Sequence, residues 1–246
     1  MFDGFKQINT DSATLLGAPL STGVALTACL ADRYTDLTRA VERLKFLSAH
    51  DALVLPKNSL SAPKLLVPFR RRQFPAQRNR KVCVGPTANA QMASLWFLVR
   101  AACCVGHESL RKLGDQMRLA VCNICNVSLT DDQWLQASLP VRNGGLGLRR
   151  VSSLASSAFL ASAAGTRQLQ DQILHRVSQV NDEIFDNCLQ TRVDNGTQPP
   201  VDSNTHKQRT WDQVIVDAEF NDMLSRYSEP YHEARILAVA ASHSGD

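Results

Sequence analysis

The 246-residue chain has few aromatic residues and no long apolar run. Phe, Trp and Tyr make up only 6% of it, while aliphatic and small residues are plentiful, which favours helices packed through aliphatic faces over an aromatic-rich β-sandwich. The longest apolar stretch, 92–106, is interrupted by Arg100 and is too short to span a membrane. We therefore expect a mainly α fold and no membrane partner.

Export and catalytic signals are also missing. The N-terminus has no basic segment followed by an apolar one, so it is not a signal peptide. Seven cysteines, an odd number, in a chain without an export signal indicate reduced thiols inside a cell, nuclear or cytoplasmic, and not a secreted protein. No Gly-x-Ser-x-Gly or other nucleophile motif occurs, so the sequence predicts no catalytic residue and no cofactor.

Positive charge is concentrated in one short segment. The chain carries a net charge of +4, yet residues 70–81 alone hold six basic residues and no acidic one. These residues are Arg70, Arg71, Arg72, Arg78, Arg80 and Lys81. A solvated loop is the favoured interpretation of this segment, and phosphate binding or nuclear import is the alternative.

Helical periodicity dominates the rest of the chain. From Leu26 to Leu47 the apolar residues recur every three or four positions, which predicts one amphipathic helix. Similar patterns predict helices over 108–127, 131–139, 151–164, 169–189, 211–224 and 229–241. Thr130, Asp131 and Asp132 together can cap the short helix predicted over 131–139.

Glycines and prolines mark the expected breaks. Pro56 is predicted to kink or end a helix that begins near residue 50, and Gly165 to stop the helix that begins at 151. Gly144, Gly145 and Gly147 predict a turn with positive φ or a close backbone approach.

Polar stretches divide the chain. Residues 67–98 contain a region rich in Pro, Arg, Gln and Asn and are expected to be a loop or a disordered insertion within a helical domain at 1–192. Residues 193–208, with Asn-Gly and Pro-Pro, are expected to be a linker to a short helical segment at 209–246.

A possible zinc site is formed by Cys103, His107, Cys122 and Cys125, which follow a Cys-x3-His and Cys-x2-Cys spacing. The second pair lies within a predicted helix, whereas zinc ligands usually come from loops. Free, partly buried thiols are therefore the favoured interpretation, and zinc is the alternative.

Trp134 and Trp211 allow two interpretations. Each lies near Leu, Val or Ile, which favours burial as a core anchor. Stacking on nucleic-acid bases is the alternative.

Seven segments in a fixed order carry a family resemblance. They are LLGAPL (15–20), RLKFLSAHDAL (43–53), SLSAPKLL (59–66), NVSLTDDQWLQASLPVRNGGLGLRRVSSLA (126–155), AFLASAAG (158–165), KQRTWD (207–212) and ARILAVAASHSGD (234–246). In this order they resemble the region that follows the catalytic palm in reverse transcriptases of animal non-LTR retrotransposons.

The resemblance implies a role for two of these segments. Leu16, Gly17, Ala18 and Pro19 look like the part that grips the primer strand, and the helices after them look like the thumb. Residues 140–150 look like the connection after the thumb, where Arg142, Arg149 and Arg150 could contact a nucleic-acid backbone.

Departures from the family limit the expected function. The palm's pair of catalytic aspartates, which hold two metal ions, is expected upstream of Leu15 and is not found there, and Asp131-Asp132 lies in the wrong segment. The resemblance therefore implies a non-catalytic retroelement fragment, truncated at both ends, that binds an RNA or an RNA–DNA duplex at most. A helical protein–protein interaction module and a functionless remnant are the alternatives.

Overall fold

The computed structural model describes residues 13–15, 18–19, 22–60, 98–174, 182–200, 204–227 and 230–241. Within them the fold is mainly α, as predicted. The helices are α1 (Val24–Leu44), α2 (Ala49–Leu60), α3 (Glu108–Cys125), α4 (Asp131–Ser138), α5 (Val151–Leu174), α6 (Glu183–Asp194), α7 (Gln208–Ser225) and α8 (Pro230–Ala241). A 3-10 turn spans Val141–Asn143, and the short strands β1 (Thr14–Leu15) and β2 (Ala18–Pro19) pair antiparallel.

The main core lies between α1, α3 and the first half of α5. Leu26, Leu30, Leu37 and Val41 on the predicted stripe of α1 are buried there. They pack with Leu98, Leu110, Leu113, Met117, Trp134, Leu154 and Ala158 from the other elements. The helix predicted from Leu26 to Leu47 is thus confirmed as far as Leu44, and four residues of its apolar stripe are buried within the chain itself while Tyr34 is exposed.

Two smaller clusters attach the C-terminal helices. Leu135 and Leu139, at the end of α4, pack with Val216 and Met223 of α7 and Ile236 of α8. Phe159, Leu160 and Ala161 of α5 pack with Cys188 of α6 and Trp211 of α7. The predicted linker at 193–208 therefore leads from α6 to a helix that packs against both α4 and α5.

Several predicted helix boundaries differ from the structure. Pro56 does not end α2, because a proline removes only one hydrogen-bond donor; that it kinks the helix stays a prediction. Helix α5 runs through Gly165, since a single helical glycine costs only about 1 kcal/mol. The helix predicted over 169–189 is divided between α5 and α6, because Asp182 accepts a hydrogen bond from the Phe185 amide at 3.1 Å and caps a new helix.

Some predicted segments lie outside the described residues. These include the basic segment 70–81, Leu16, Gly17 and most of the predicted insertion at 67–98, of which only Leu98 is described. Leu98 is helical and fully buried in the main core. Of the described helices, none is long and apolar enough to cross a membrane.

Candidate functional site

Residues 139–150 form a compact turn between α4 and α5. Gly144 and Gly147 adopt φ values of +75° and +76°, the left-handed region that favours glycine. A Cβ on Gly145 would lie 2.1 Å from the Leu139 carbonyl oxygen, so that site also requires glycine. The amide nitrogens of Gly145 and Gly147 donate hydrogen bonds to the carbonyls of Pro140 (3.1 Å) and Leu139 (2.9 Å). The predicted glycine turn is confirmed.

Two arginines of the connection, Arg149 and Arg142, both contact α7, but the first is buried and the second is exposed. Arg149 is buried and donates from Nη2 to Oδ1 of Asp212 on α7 at 2.7 Å. Arg142 is exposed and donates to the side-chain oxygen of Gln213.

The third connection arginine is also tied to α7. Arg150 is partly buried and donates to a carboxylate oxygen of Glu219, which also accepts from the Ser153 hydroxyl at 2.7 Å. Together these contacts anchor the connection to one face of α7.

The Arg149–Asp212 pair sits in a poorly solvated environment. Burial raises the pKa of Asp212, and the nearby Arg149 guanidinium opposes that rise. Burial therefore makes the charged form of Asp212 costly, and the Arg149 guanidinium offsets part of that cost.

A second buried arginine joins α6 to α5 and α7. The Arg192 guanidinium donates to the hydroxyls of Ser156 (3.3 Å) and Ser157 (3.1 Å) and to the Trp211 carbonyl at 2.5 Å. It also lies 5.4 Å from the centre of the Trp211 ring. Burial lowers the pKa of Arg192. The periodicity of α6 gave no indication of this network, since all its partners lie at least nineteen positions away.

The structure also has an open groove of about 360 Å³. Its walls come from β2, from α5, from the start of α6 and from the segment that precedes α3. Its lining includes Pro19, Arg100, Cys103, Ser162, Thr166 and Asp182, and we call it the Arg100 groove. Pro19 and the neighbouring Ala18, both buried in β2, are the described part of the predicted primer-gripping segment.

One basic residue, Arg100, lines this groove, and it donates to the Gln208 side-chain oxygen at 3.4 Å. Lys207 and Arg209 are the sequence neighbours of Gln208, and with Arg100 and Arg167 we call them the basic rim. Arg167 follows Thr166, which also lines the groove. Of the nine ion pairs found among the described residues, none involves a residue of the basic rim.

Backbone geometry adds to the positive character of this region. Lys207 is the N-cap of α7, and its side chain makes no capping hydrogen bond. The positive end of the helix dipole therefore lies beside Gln208, the residue that Arg100 contacts. The sequence did not single out the basic rim, because its members are separated by up to 109 positions (Arg100 to Arg209).

The four residues of the possible zinc site do not come together as metal ligands. His107 caps α3, with Nδ1 accepting from the Ser109 amide at 3.2 Å, and its Nε2 lies 3.3 Å from the Thr27 hydroxyl. Cys103, Cys122 and Cys125 are half-buried free thiols. No cluster of three or more possible ligands occurs among the described residues, so the structure lends no support to the zinc alternative.

Trp134 and Trp211 are core residues, as favoured from the sequence. Trp134 is buried in the main core, and Trp211 is buried against α5 and α6. The Trp211 indole donates to the Thr205 carbonyl at 2.6 Å. Neither ring is available for stacking on a base in this structure.

Comparison with protein-family models, curated proteins and solved structures finds no match to this chain. The resemblance to reverse transcriptases therefore depends on the seven sequence segments.

Proposed function

We propose that this chain is a non-catalytic, thumb-like module of retroelement origin that binds the sugar–phosphate backbone of an RNA or RNA–DNA duplex. The observation that carries the proposal is the basic rim, in which Arg100 lines a groove and three further cations are next in sequence to residues that line or contact it. The groove's other wall includes Pro19, from the segment that resembles the primer grip.

The chemistry of the groove suits phosphate better than a base edge. Arginine and lysine side chains, hydroxyl groups and the N-terminus of a helix are the usual donors to phosphate oxygens. The Arg100 groove offers Arg100, the hydroxyl of Ser162 and the adjacent start of α7. Backbone contacts of this kind position a duplex without reading its sequence, so we expect binding with little sequence preference.

The arginines of the connection have a different part in the proposal. Arg149 and Arg150 hold α7, which carries Arg209 of the rim, against the rest of the fold. Arg142 is exposed and remains the member of that trio best placed to reach a phosphate.

A helical protein-interaction module is the competing proposal. Its main sequence argument is the apolar stripe of α1, and four residues of that stripe, Leu26, Leu30, Leu37 and Val41, are buried in the chain's own core, although Tyr34 is exposed. The alternative therefore requires another surface.

A salt titration of binding tests the proposal. We would measure the anisotropy of a labelled 20-base-pair RNA–DNA hybrid from 50 to 200 mM salt. If the four rim cations each neutralise one phosphate, a slope of about −0.9 per contact gives an affinity loss of roughly 150-fold across this range. Absence of binding at 50 mM salt would reject the proposal and favour the interaction module.

Single substitutions locate the contact. Lys207→Ala and Arg209→Ala are each expected to reduce the magnitude of the slope by about 0.9. Arg39→Ala is the matched control, because Arg39 is exposed on α1, is paired with Asp36 and does not line the groove. Binding that survives the rim substitutions but is lost on replacing Arg70, Arg71 and Arg72 with alanine would assign it to the basic segment instead.

A further inference from the structure

Cys103 and Cys188 meet at the edge of the Arg100 groove. Cys103 lies in the segment before α3, is half-buried and lines the groove. Cys188 lies on α6 and is buried among Phe159, Leu160 and Trp211, and Cys103 packs against this cluster. Cys103 and Cys188 therefore share one cluster, in which their side chains interact as hydrogen-bond partners, although 85 positions separate them in the chain.

The two thiols differ in their access to solvent. A small reagent that enters the groove reaches Cys103, whereas only 2% of the surface of Cys188 is exposed. This arrangement separates an attacking thiol at the surface from a second thiol held behind it, as in cysteine pairs that form disulfides on oxidation.

Cys103 also differs in pKa from the adjacent cysteine in the sequence, Cys104. The hydrogen bond from Cys188 lowers the pKa of Cys103 to about 7, while partial burial opposes this shift. Burial raises the pKa of the adjacent Cys104 to about 12. Near neutral pH, Cys103 is therefore the more nucleophilic of these two sulfurs, because the thiolate is the reactive form.

We propose that Cys103 is a peroxide-reactive thiol and that Cys188 is its resolving cysteine. The Cys103 thiolate attacks one oxygen of hydrogen peroxide, the O–O bond breaks, and the departing hydroxide takes up a proton to give water. Cys103 is left as a sulfenic acid.

Cys188 completes the reaction. Its sulfur loses a proton and attacks the Cys103 sulfur, the S–O bond breaks, and the hydroxyl leaves as a second water molecule. Two thiols are oxidised to one disulfide and one peroxide is reduced to two waters. The product joins the segment before α3 to α6, and both elements line the Arg100 groove.

The first test compares cysteine reactivity in the unmodified chain. At pH 7, a thiol with a pKa of about 7 is roughly half thiolate, against roughly 1% for one at 9, and its lower intrinsic nucleophilicity removes about eightfold of that gain. We therefore expect Cys103 to be alkylated by iodoacetamide roughly sixfold faster than an ordinary thiol of equal access. Cys122, also half-buried, is the matched reference.

The second test maps the product of peroxide treatment by mass spectrometry of tryptic peptides without reduction. We expect a cross-link between the peptides 101–111 and 177–192 in the unmodified chain and in Cys104→Ala, and its loss in Cys103→Ser. In Cys188→Ser the reaction is expected to stop at a Cys103 sulfenic acid, which a 1,3-diketone traps.

Two results would overturn the proposal. One is a cross-link that persists in Cys103→Ser, and the other is alkylation of Cys103 no faster than that of Cys122. Both can be judged if Cys188→Ser fails to fold, because the rate comparison and the cross-link in the parent chain require no variant at position 188.

Discussion

Replacing Arg149 with methionine is expected to destabilise the fold by about 3 kcal/mol at pH 7. The substitution keeps much of the side-chain volume and removes the cation that lies 2.7 Å from Asp212. Only 7% of the Arg149 side chain and 19% of the Asp212 side chain are exposed, so water cannot take over the lost contact. Breaking a buried pair from one side typically costs 3–5 kcal/mol, and the residual exposure of Asp212 favours the lower end.

The loss is also expected to depend on pH. Burial already raises the pKa of Asp212 with Arg149 in place, and removal of the cation raises it further. An acid whose pKa is higher in the folded than in the unfolded state destabilises the fold above its folded pKa. That penalty disappears below the unfolded value of about 3.9. The effect of Arg149→Met should therefore shrink steadily as the pH is lowered from 7 towards 4.

Urea unfolding followed by circular dichroism at several pH values measures both effects. Arg111→Met is the control, because Arg111 and Glu108 are 72% and 64% exposed and their pair contributes well under about 1 kcal/mol. Adding Asp212→Asn to Arg149→Met is expected to recover part of the stability, since no buried charge remains. The reasoning would be refuted if Arg149→Met lost no more unfolding free energy than Arg111→Met, or if its loss were the same at pH 7 and pH 4.

The remaining predictions concern a turn, a cap and a thiol. Gly145→Ala is expected to lower the unfolding free energy measured in urea by about 3 kcal/mol, because its Cβ would lie 2.1 Å from the Leu139 carbonyl oxygen. Gly114→Ala is the control: it has open space around it in α3 and should raise the unfolding free energy by about 0.5–1 kcal/mol. Thr130→Ala removes the capping box of α4 and is expected to lower the unfolding free energy by about 1 kcal/mol, with Thr35→Ala as the control for hydroxyl loss. Alkylation of Cys103 is expected to accelerate as the pH rises through about 7, and Cys188→Ala should move that midpoint upward. A Cys103 midpoint that does not move in Cys188→Ala would contradict the assigned hydrogen bond.

Features that depend on neighbours in the sequence were predictable. Thr130 and Gln133 form the capping box within one turn, and the glycines at 144–147 close their turn through hydrogen bonds a few residues long. The stripe of α1 was also visible, because burial on one helical face imposes its period on the sequence.

Helix ends were harder to predict, because the free-energy cost of a glycine or proline inside a helix can be offset by packing of the rest of that helix. The single glycine at 165 does not stop α5, whose first half is buried through Leu154 and Leu160. Asp182 starts α6 within a stretch that keeps the apolar period, so periodicity alone hid the boundary.

The candidate site could not be predicted because its contacts are long-range. Arg100 meets Gln208 across 108 positions, and Arg149 meets Asp212 across 63. A sequence shows that such residues are charged, but only the packing of α5 against α7 decides which of them are paired. This is why Arg149 was predicted as a phosphate contact, whereas the structure places it in a buried ion pair.

The two roles of Arg149 can be separated by the salt dependence of binding. If Arg149 contacts a phosphate directly, Arg149→Met removes one released counterion and reduces the magnitude of the slope by about 0.9. If it only positions α7, affinity falls while the slope stays unchanged, because the rim cations still neutralise the same phosphates once the duplex is bound. We expect the second result, since only 7% of the Arg149 side chain is exposed and its guanidinium is paired with Asp212. Arg142→Ala provides the comparison, as Arg142 is exposed and in the same turn.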